Sequence, residues 1–394
     1  MDCSDRFLSL SPSDQDLETV EEIEMSKGRG VLYFATAFRL VGIDPEKMRI
    51  RVKERTVPPP LLARKFLDYL DAGLPHCAGY AVHGSKLYMI GGNWIRKDGL
   101  DDPLRVPSNR VVDFPDGEAG ITSNVYVADI TSNSMEFEFS PICKMHGPKI
   151  KPMVLEVEGK LYVLSNLFGY LPESYDSPTF EVYDPKTNTV EALPDPPFYK
   201  AKGKAMINKR FVVGGKIYVI ADDLFYSYKM NTRQWRISVT YVGAIESITW
   251  GFFVPGYDDV VIKFREDGSL LASLISPSST RIRIQQVLEL EDALDGVRED
   301  EMYLEWGNAA FVEMGEFKVG AIVPGSDMAD NLIVFVFTFV LSKVRLPRKI
   351  PPYSKNWPKF LSLNCLNKGI YNLGPMRSFH EDVIVDAFFV EWSS

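Results

Sequence analysis

The chain has 394 residues, of which 45% are hydrophobic and 12% aromatic; this is ample for a buried core and excludes global disorder. Its net charge is −9 and its isoelectric point lies near 5.2. An acidic chain without a dominant basic stripe argues against nucleic acid and against anionic membrane surfaces as partners, since both demand clustered Lys and Arg.

Residues 1–28 carry Asp2, Asp5, Asp14, Asp16, Glu18, Glu21, Glu22 and Glu24 against few cations, the opposite of a secretory leader. They read as an acidic mobile tail ahead of a single domain spanning 29–394. Strand signals begin at Val31–Phe34 and recur at Met48–Val52, with Pro58-Pro59-Pro60 as a stop. Leu61–Leu70 reads as one or two helical turns ending near Gly73.

From His76 onward a phrase returns three times: Gly84-Ser85-Lys86-Leu87-Tyr88-Met89-Ile90, Gly159-Lys160-Leu161-Tyr162-Val163-Leu164 and Gly215-Lys216-Ile217-Tyr218-Val219-Ile220. A strand–turn–strand unit cannot bury both faces alone, so its copies must stack. Each copy is followed by a second hairpin in which Ala128, Tyr183 and Tyr228 precede Met135, Val190 and Trp235 by seven positions. The residues between are rich in Asp, Pro, Ser, Thr and Asn, which reverse the chain. An apolar residue on each side of the turn lets adjacent sheets pack. Further units read as Trp250–Phe264 with Ser269–Ile275, and Ala309–Pro324 with Leu332–Val340. The run Leu332–Leu341 is about half the length a membrane helix needs and reads as a buried strand. Strand character in Val383–Val385 and Phe388–Val390 predicts that the tail completes a ring with the N-terminal strands, because closure removes exposed edges.

An apolar strand ending in Gly-Gly, a Tyr in the following strand and a Trp after a polar turn make up the kelch pattern. Tyr88-Met89-Ile90-Gly91-Gly92 carries its first half and Tyr228–Trp235 its second. Gly-Gly gives way to Ser165-Asn166 and Ala221-Asp222 in the next two units. The chain resembles a degenerate plant kelch protein, similar to the propeller part of plant F-box/kelch proteins without the F-box. The resemblance implies an all-β propeller of four-stranded antiparallel blades, six in number with seven as the alternative.

Four histidines, His76, His83, His146 and His380, show no HxH or HExxH spacing, so a zinc hydrolase is not indicated. Neither the Tyr/Cys/His copper site nor the Glu-x3-Asp-x3-His iron site of some kelch propellers has a counterpart, and no cofactor is expected. Cys3, Cys77, Cys143 and Cys365 form no CxxC pair, which suits reduced thiols in the cytoplasm or nucleus. The cationic, proline-rich run from Lys343 to Lys359 reads as a solvated connection.

The candidate binding region is the mouth of the channel. The long loop 93–122 carries Trp94, Arg96, Asp98 and Arg105, an aromatic and charged mixture suited to an interaction surface. Residues opening the inner strands converge on the same mouth: His76, Lys151, Lys204 and Trp250. The leading expectation is a monomeric adaptor or scaffold that binds a protein there. An isomerase, cyclase or lyase of plant specialised metabolism, with a small-molecule pocket at that mouth, is the alternative. A sugar-binding propeller is a third, with Trp94 and Trp250 as stacking surfaces.

Overall fold

Val31, Tyr33 and Ala35 point to one side of the first strand, and Leu32 and Phe34 to the other; all five are buried. A strand buried on both faces needs a sheet on each side, and stacked sheets repeated around an axis meet that need. In the computed structural model the chain forms six antiparallel blades arranged as a six-bladed β-propeller. The structure describes residues 30–36, 39–45, 65–94, 120–130, 137–149, 151–166, 177–200, 207–213, 215–221, 224–238, 252–254, 257, 260–265, 268–275, 282–288, 302–315, 317–343, 361–376 and 386–391.

Blade 1 begins with β1 (Gly30–Ala35), β2 (Arg39–Ile43) and β3 (Lys65–Asp68). The stretch expected to be helical is therefore strand first, with a single helical turn, α1 (Tyr69–Ala72), before Gly73. Blade 2 is β4 (Gly79–His83), β5 (Lys86–Ile90), β8 (Asn124–Asp129) and β9 (Ser140–Lys144). Between β5 and β8 stands a separate two-stranded ribbon, β6 (Asn93–Trp94) with β7 (Gly120–Ile121). Blade 3 is β10 (Met153–Val157), β11 (Lys160–Leu164), β12 (Phe180–Asp184) and β13 (Thr189–Ala192). A helical turn, α2 (Pro197–Lys200), leads to blade 4: β14 (Ile207–Val213), β15 (Lys216–Ala221), β16 (Leu224–Lys229) and β17 (Gln234–Ser238).

Blade 5 is β18 (Phe252–Phe253), β19 (Val260–Phe264), β20 (Leu270–Ile275) and β21 (Ile282–Leu288). In blade 6 the inner position is shared by β22 (Met302–Leu304) and β23 (Ala310–Glu313), both on β24 (Lys318–Asp327); β25 (Asn331–Lys343) and β26 (Leu361–Pro375) lie outside. The last strand, β27 (Asp386–Glu391), returns to pair with β1, from Gly30 against Glu391 to Ala35 against Asp386. The ring is thus closed by joining the two ends of the chain, as the strand pattern of the tail predicts. Met48–Val52 and Val383–Val385 lie outside the described residues.

Both faces of a blade feed a core. Five clusters of buried side chains fill joints between neighbouring blades, among the described residues. The hairpin tyrosines wedge between sheets as the seven-residue spacing implies. Tyr183 opposes Val190 in its hairpin and meets Tyr88 of the preceding blade, with ring centroids 5.9 Å apart. Tyr228 opposes Trp235 and meets Phe180 edge-on at 4.9 Å. Burial of each such side chain is worth about 1.5–3 kcal/mol. Met135, the counterpart in blade 2, lies outside the described residues.

Four antiparallel strands return the chain to the face it left, so successive innermost strands all start at one face. β4 lies beside both β27 and β10, β10 beside β14, and β23 beside β27. The starts of β4, β10, β14 and β27 therefore ring one mouth of the channel.

Candidate functional site

The lead-ins to the inner strands are built on strained backbone. Cys77 and Lys151 hold φ of 52° and 38°, each two residues ahead of an inner strand. A left-handed conformation at a non-glycine residue costs about 1–2 kcal/mol, so the surroundings must hold it. In blade 2 that support comes from Gly91-Gly92. Gly92 has φ 98°, and a Cβ there would lie 2.7 Å from the His76 carbonyl oxygen. Its N–H donates to the Lys149 carbonyl at 3.0 Å, tying the end of β5 to the lead-in of blade 3.

The ribbon β6–β7 rises from this same place. His76 and Asn93 exchange backbone hydrogen bonds of 2.9 and 2.8 Å, and Thr122 donates to the Gly92 carbonyl at 3.0 Å. The β6–β7 ribbon is thereby locked to the mouth. His76 itself is 1% exposed, inside the stem rather than on the open rim. Burial pulls its imidazole down to about 4, and nearby Lys151 pulls the same way. Lys151 is half-buried at the mouth. Trp94 lies in β6. Arg96, Asp98, Arg105, Lys204 and Trp250 lie outside the described residues.

Two polar clusters at the mouth were not among the residues that sequence reasoning singled out as site candidates. In the first, between blades 2 and 3, Lys149 and Glu181 form an ion pair with no exposed side-chain surface. The Lys149 ammonium also donates to the carbonyls of Gly147, at 3.1 Å, and Pro178, at 2.7 Å. Burial pulls it below the ordinary lysine range, and Glu181 opposes that pull. His146 donates its backbone N–H to Glu181 Oε1 at 2.9 Å, and its Nδ1 lies 2.7 Å from the same oxygen. The signal was present in the strand period. Phe180 and Val182 share one face of β12, so Glu181 shares the other with the buried Tyr183.

The second cluster spans the channel. Arg210 Nη2 donates to both carboxylate oxygens of Asp386, at 3.0 and 2.9 Å. Arg210 stands on β14 of blade 4 and Asp386 at the start of β27 in blade 1, opposite positions in a ring of six. Tyr80 N–H donates to Asp386 Oδ2 at 3.4 Å from the neighbouring inner strand. Burial pushes the Asp386 carboxyl above the ordinary aspartate range, while Arg210 pulls it down. The buried phenols of Tyr69 and Tyr80, both pushed up by burial, complete the wall. Among the described residues no group of three or more His, Cys, Asp or Glu is placed to hold a metal ion, and no helix is long and apolar enough to cross a membrane.

Comparison with known proteins agrees with the kelch-like pattern of the central blades. Residues 122–239 match a family of proteins of unknown function, DUF1668. An F-box/kelch-repeat protein of Arabidopsis thaliana is 30% identical over 111 residues, covering 28% of this chain and 24% of that protein. The match thus spans about a quarter of that relative's length. Among solved structures, the N-terminal domain of Nup159 aligns over 77% of this chain and 70% of its own, at 10% identity and a TM-score of 0.32. A chain from an S. cerevisiae assembly of Dbp5 with Nup159 and Gle1 aligns over 78% and 70%, at the same identity and TM-score.

Proposed function

We propose that this protein is a protein-binding propeller, an adaptor or scaffold whose partner docks on the channel mouth. The observation that carries the reading is the β6–β7 stem. Its hydrogen bonds to His76, Gly92 and, through Thr122, Lys149 fix the point from which residues 95–119 depart. A loop anchored on a rigid sheet scaffold supplies contacts at low ordering cost. Arg96, Asp98 and Arg105 give it charge of both signs beside Trp94, the residue types that anchor interfaces. The same reading takes residues 29–394 as one domain preceded by an acidic tail, acting as a monomer in the cytoplasm or nucleus.

Affinity purification from plant extract tests it, using the full chain and a variant with residues 95–119 replaced by a short Gly-Ser link. The reading expects one stoichiometric partner with the full chain. The replacement loses that partner while keeping the same urea transition, and Arg96→Ala with Arg105→Ala weakens it. Undiminished recovery of the partner by the replacement variant contradicts the reading.

A further inference from the structure

The cross-channel pair leaves donors unused. Arg210 engages Asp386 through Nη2 alone, and among the described residues nothing accepts from its Nη1 or Nε. The Arg210 side chain is 19% exposed and that of Asp386 13%. Both belong to innermost strands, which ring the channel. We propose that Arg210 and Asp386 form the floor of a binding site for a small monocarboxylate, entered from the mouth.

A guanidinium presents five donors in a planar fork suited to carboxylates. With Nη2 held by Asp386, an incoming carboxylate can take Nη1. Two carboxyl groups then face a single guanidinium, an arrangement that holds one negative charge comfortably and two poorly. A single proton shared between the carboxyls resolves this and adds a short charge-assisted hydrogen bond. In the free site Arg210 from β14 and the N–H groups of Tyr80 and Ala387 hold the ionised form of Asp386, with the phenols of Tyr80 and Tyr69 close by; an incoming carboxylate offsets the Arg210 charge and so releases that hold. Burial already pushes the Asp386 carboxyl toward its protonated form. Phosphate, mostly the dianion at pH 8, brings one charge too many there. Binding therefore takes up one proton and strengthens as pH falls from 8 to 6. The site does not depend on residues 95–119, so failure of the partner-binding reading leaves it standing.

The test uses the full chain with acetate and inorganic phosphate as probes, followed by saturation-transfer and phosphorus NMR between pH 6 and 8. Acetate is expected to bind about tenfold more tightly at pH 6 than at pH 8, the change that uptake of close to one proton gives over part of this range. Phosphate is expected to bind more weakly than acetate at pH 8, where it is mostly the dianion. Arg210→Gln loses acetate binding, and Asp386→Asn binds acetate with no pH dependence. If Arg210→Gln does not fold, the pH dependence of the unaltered chain decides. No acetate binding, binding independent of pH, equal binding by Arg210→Gln, or phosphate matching acetate at pH 8 overturns the proposal.

Discussion

Between blades 2 and 3, β5 ends in Gly91-Gly92 and is fastened to the next lead-in by backbone: the Gly92 N–H reaches the Lys149 carbonyl, and neither glycine has room for a Cβ. Between blades 3 and 4, β11 ends in Ser165-Asn166 and side chains do the same work. The Asn166 side-chain oxygen accepts the N–H of Ile207, the first residue of β14, at 3.2 Å, and the Ser165 carbonyl accepts the Tyr199 hydroxyl. The two joints share a task, which is to fasten the end of the second strand to the lead-in of the next blade. The comparison teaches why the repeat can degenerate without losing the fold. Glycine is required only where the next blade's backbone comes within van der Waals distance; where it stands farther off, an amide side chain spans the gap.

The largest expected effect breaks the first joint at its buried charge. Glu181→Gln leaves Lys149 buried without its counter-ion and is expected to lower unfolding free energy by about 3–5 kcal/mol. Urea titration checks it, and the double change Lys149→Met with Glu181→Leu is expected to recover much of the loss. Gly92→Ala places a methyl on the His76 carbonyl at a φ that L-residues resist; about 2–4 kcal/mol is expected by the same measurement.

The same joint carries a pH dependence. His76 titrates at about 4 when folded, against an ordinary value of 6.5. The unfolded chain therefore binds the proton first, so stability is fully present above 6.5 and falls as pH drops toward 4. The difference amounts to about 3 kcal/mol. Urea curves at pH 7 and pH 4 check it, since His76→Gln, which cannot charge, should lack this share of the loss. The smallest effect sharpens the contrast from the other side. Asn166→Ala removes one hydrogen bond to a buried N–H and is expected to cost about 1–2 kcal/mol, while Asn166→Gly should not restore the joint.

What the sequence made legible follows from period and repetition. The three returning phrases, each with Lys, Leu or Ile, and Tyr in succession, mark β5, β11 and β15, and the seven-residue spacing marks the Tyr183–Val190 and Tyr228–Trp235 cross-strand pairs. Apolar runs in the tail foretold closure through Phe388–Val390. Lys65–Asp68 escaped because a short strand beside a helical turn carries no alternation to distinguish it. The site was less legible. Arg210 and Asp386 are separated by 176 positions, and only ring closure brings them together. Glu181 was readable from alternation alone, but a lone acid in an apolar strand is seldom read as buried.

Everything at the mouth depends on that closure, and amide hydrogen exchange in β1 tests it most directly. With β27 on one side and β2 on the other, the amides of residues 31–35 should exchange as slowly as those of β15 and β25. A chain ending at residue 385 should lose that protection together with its cooperative unfolding transition. Exchange in β1 at the rate of an exposed edge in the full chain, or unchanged protection after removal of β27, would contradict a ring closed by its two ends.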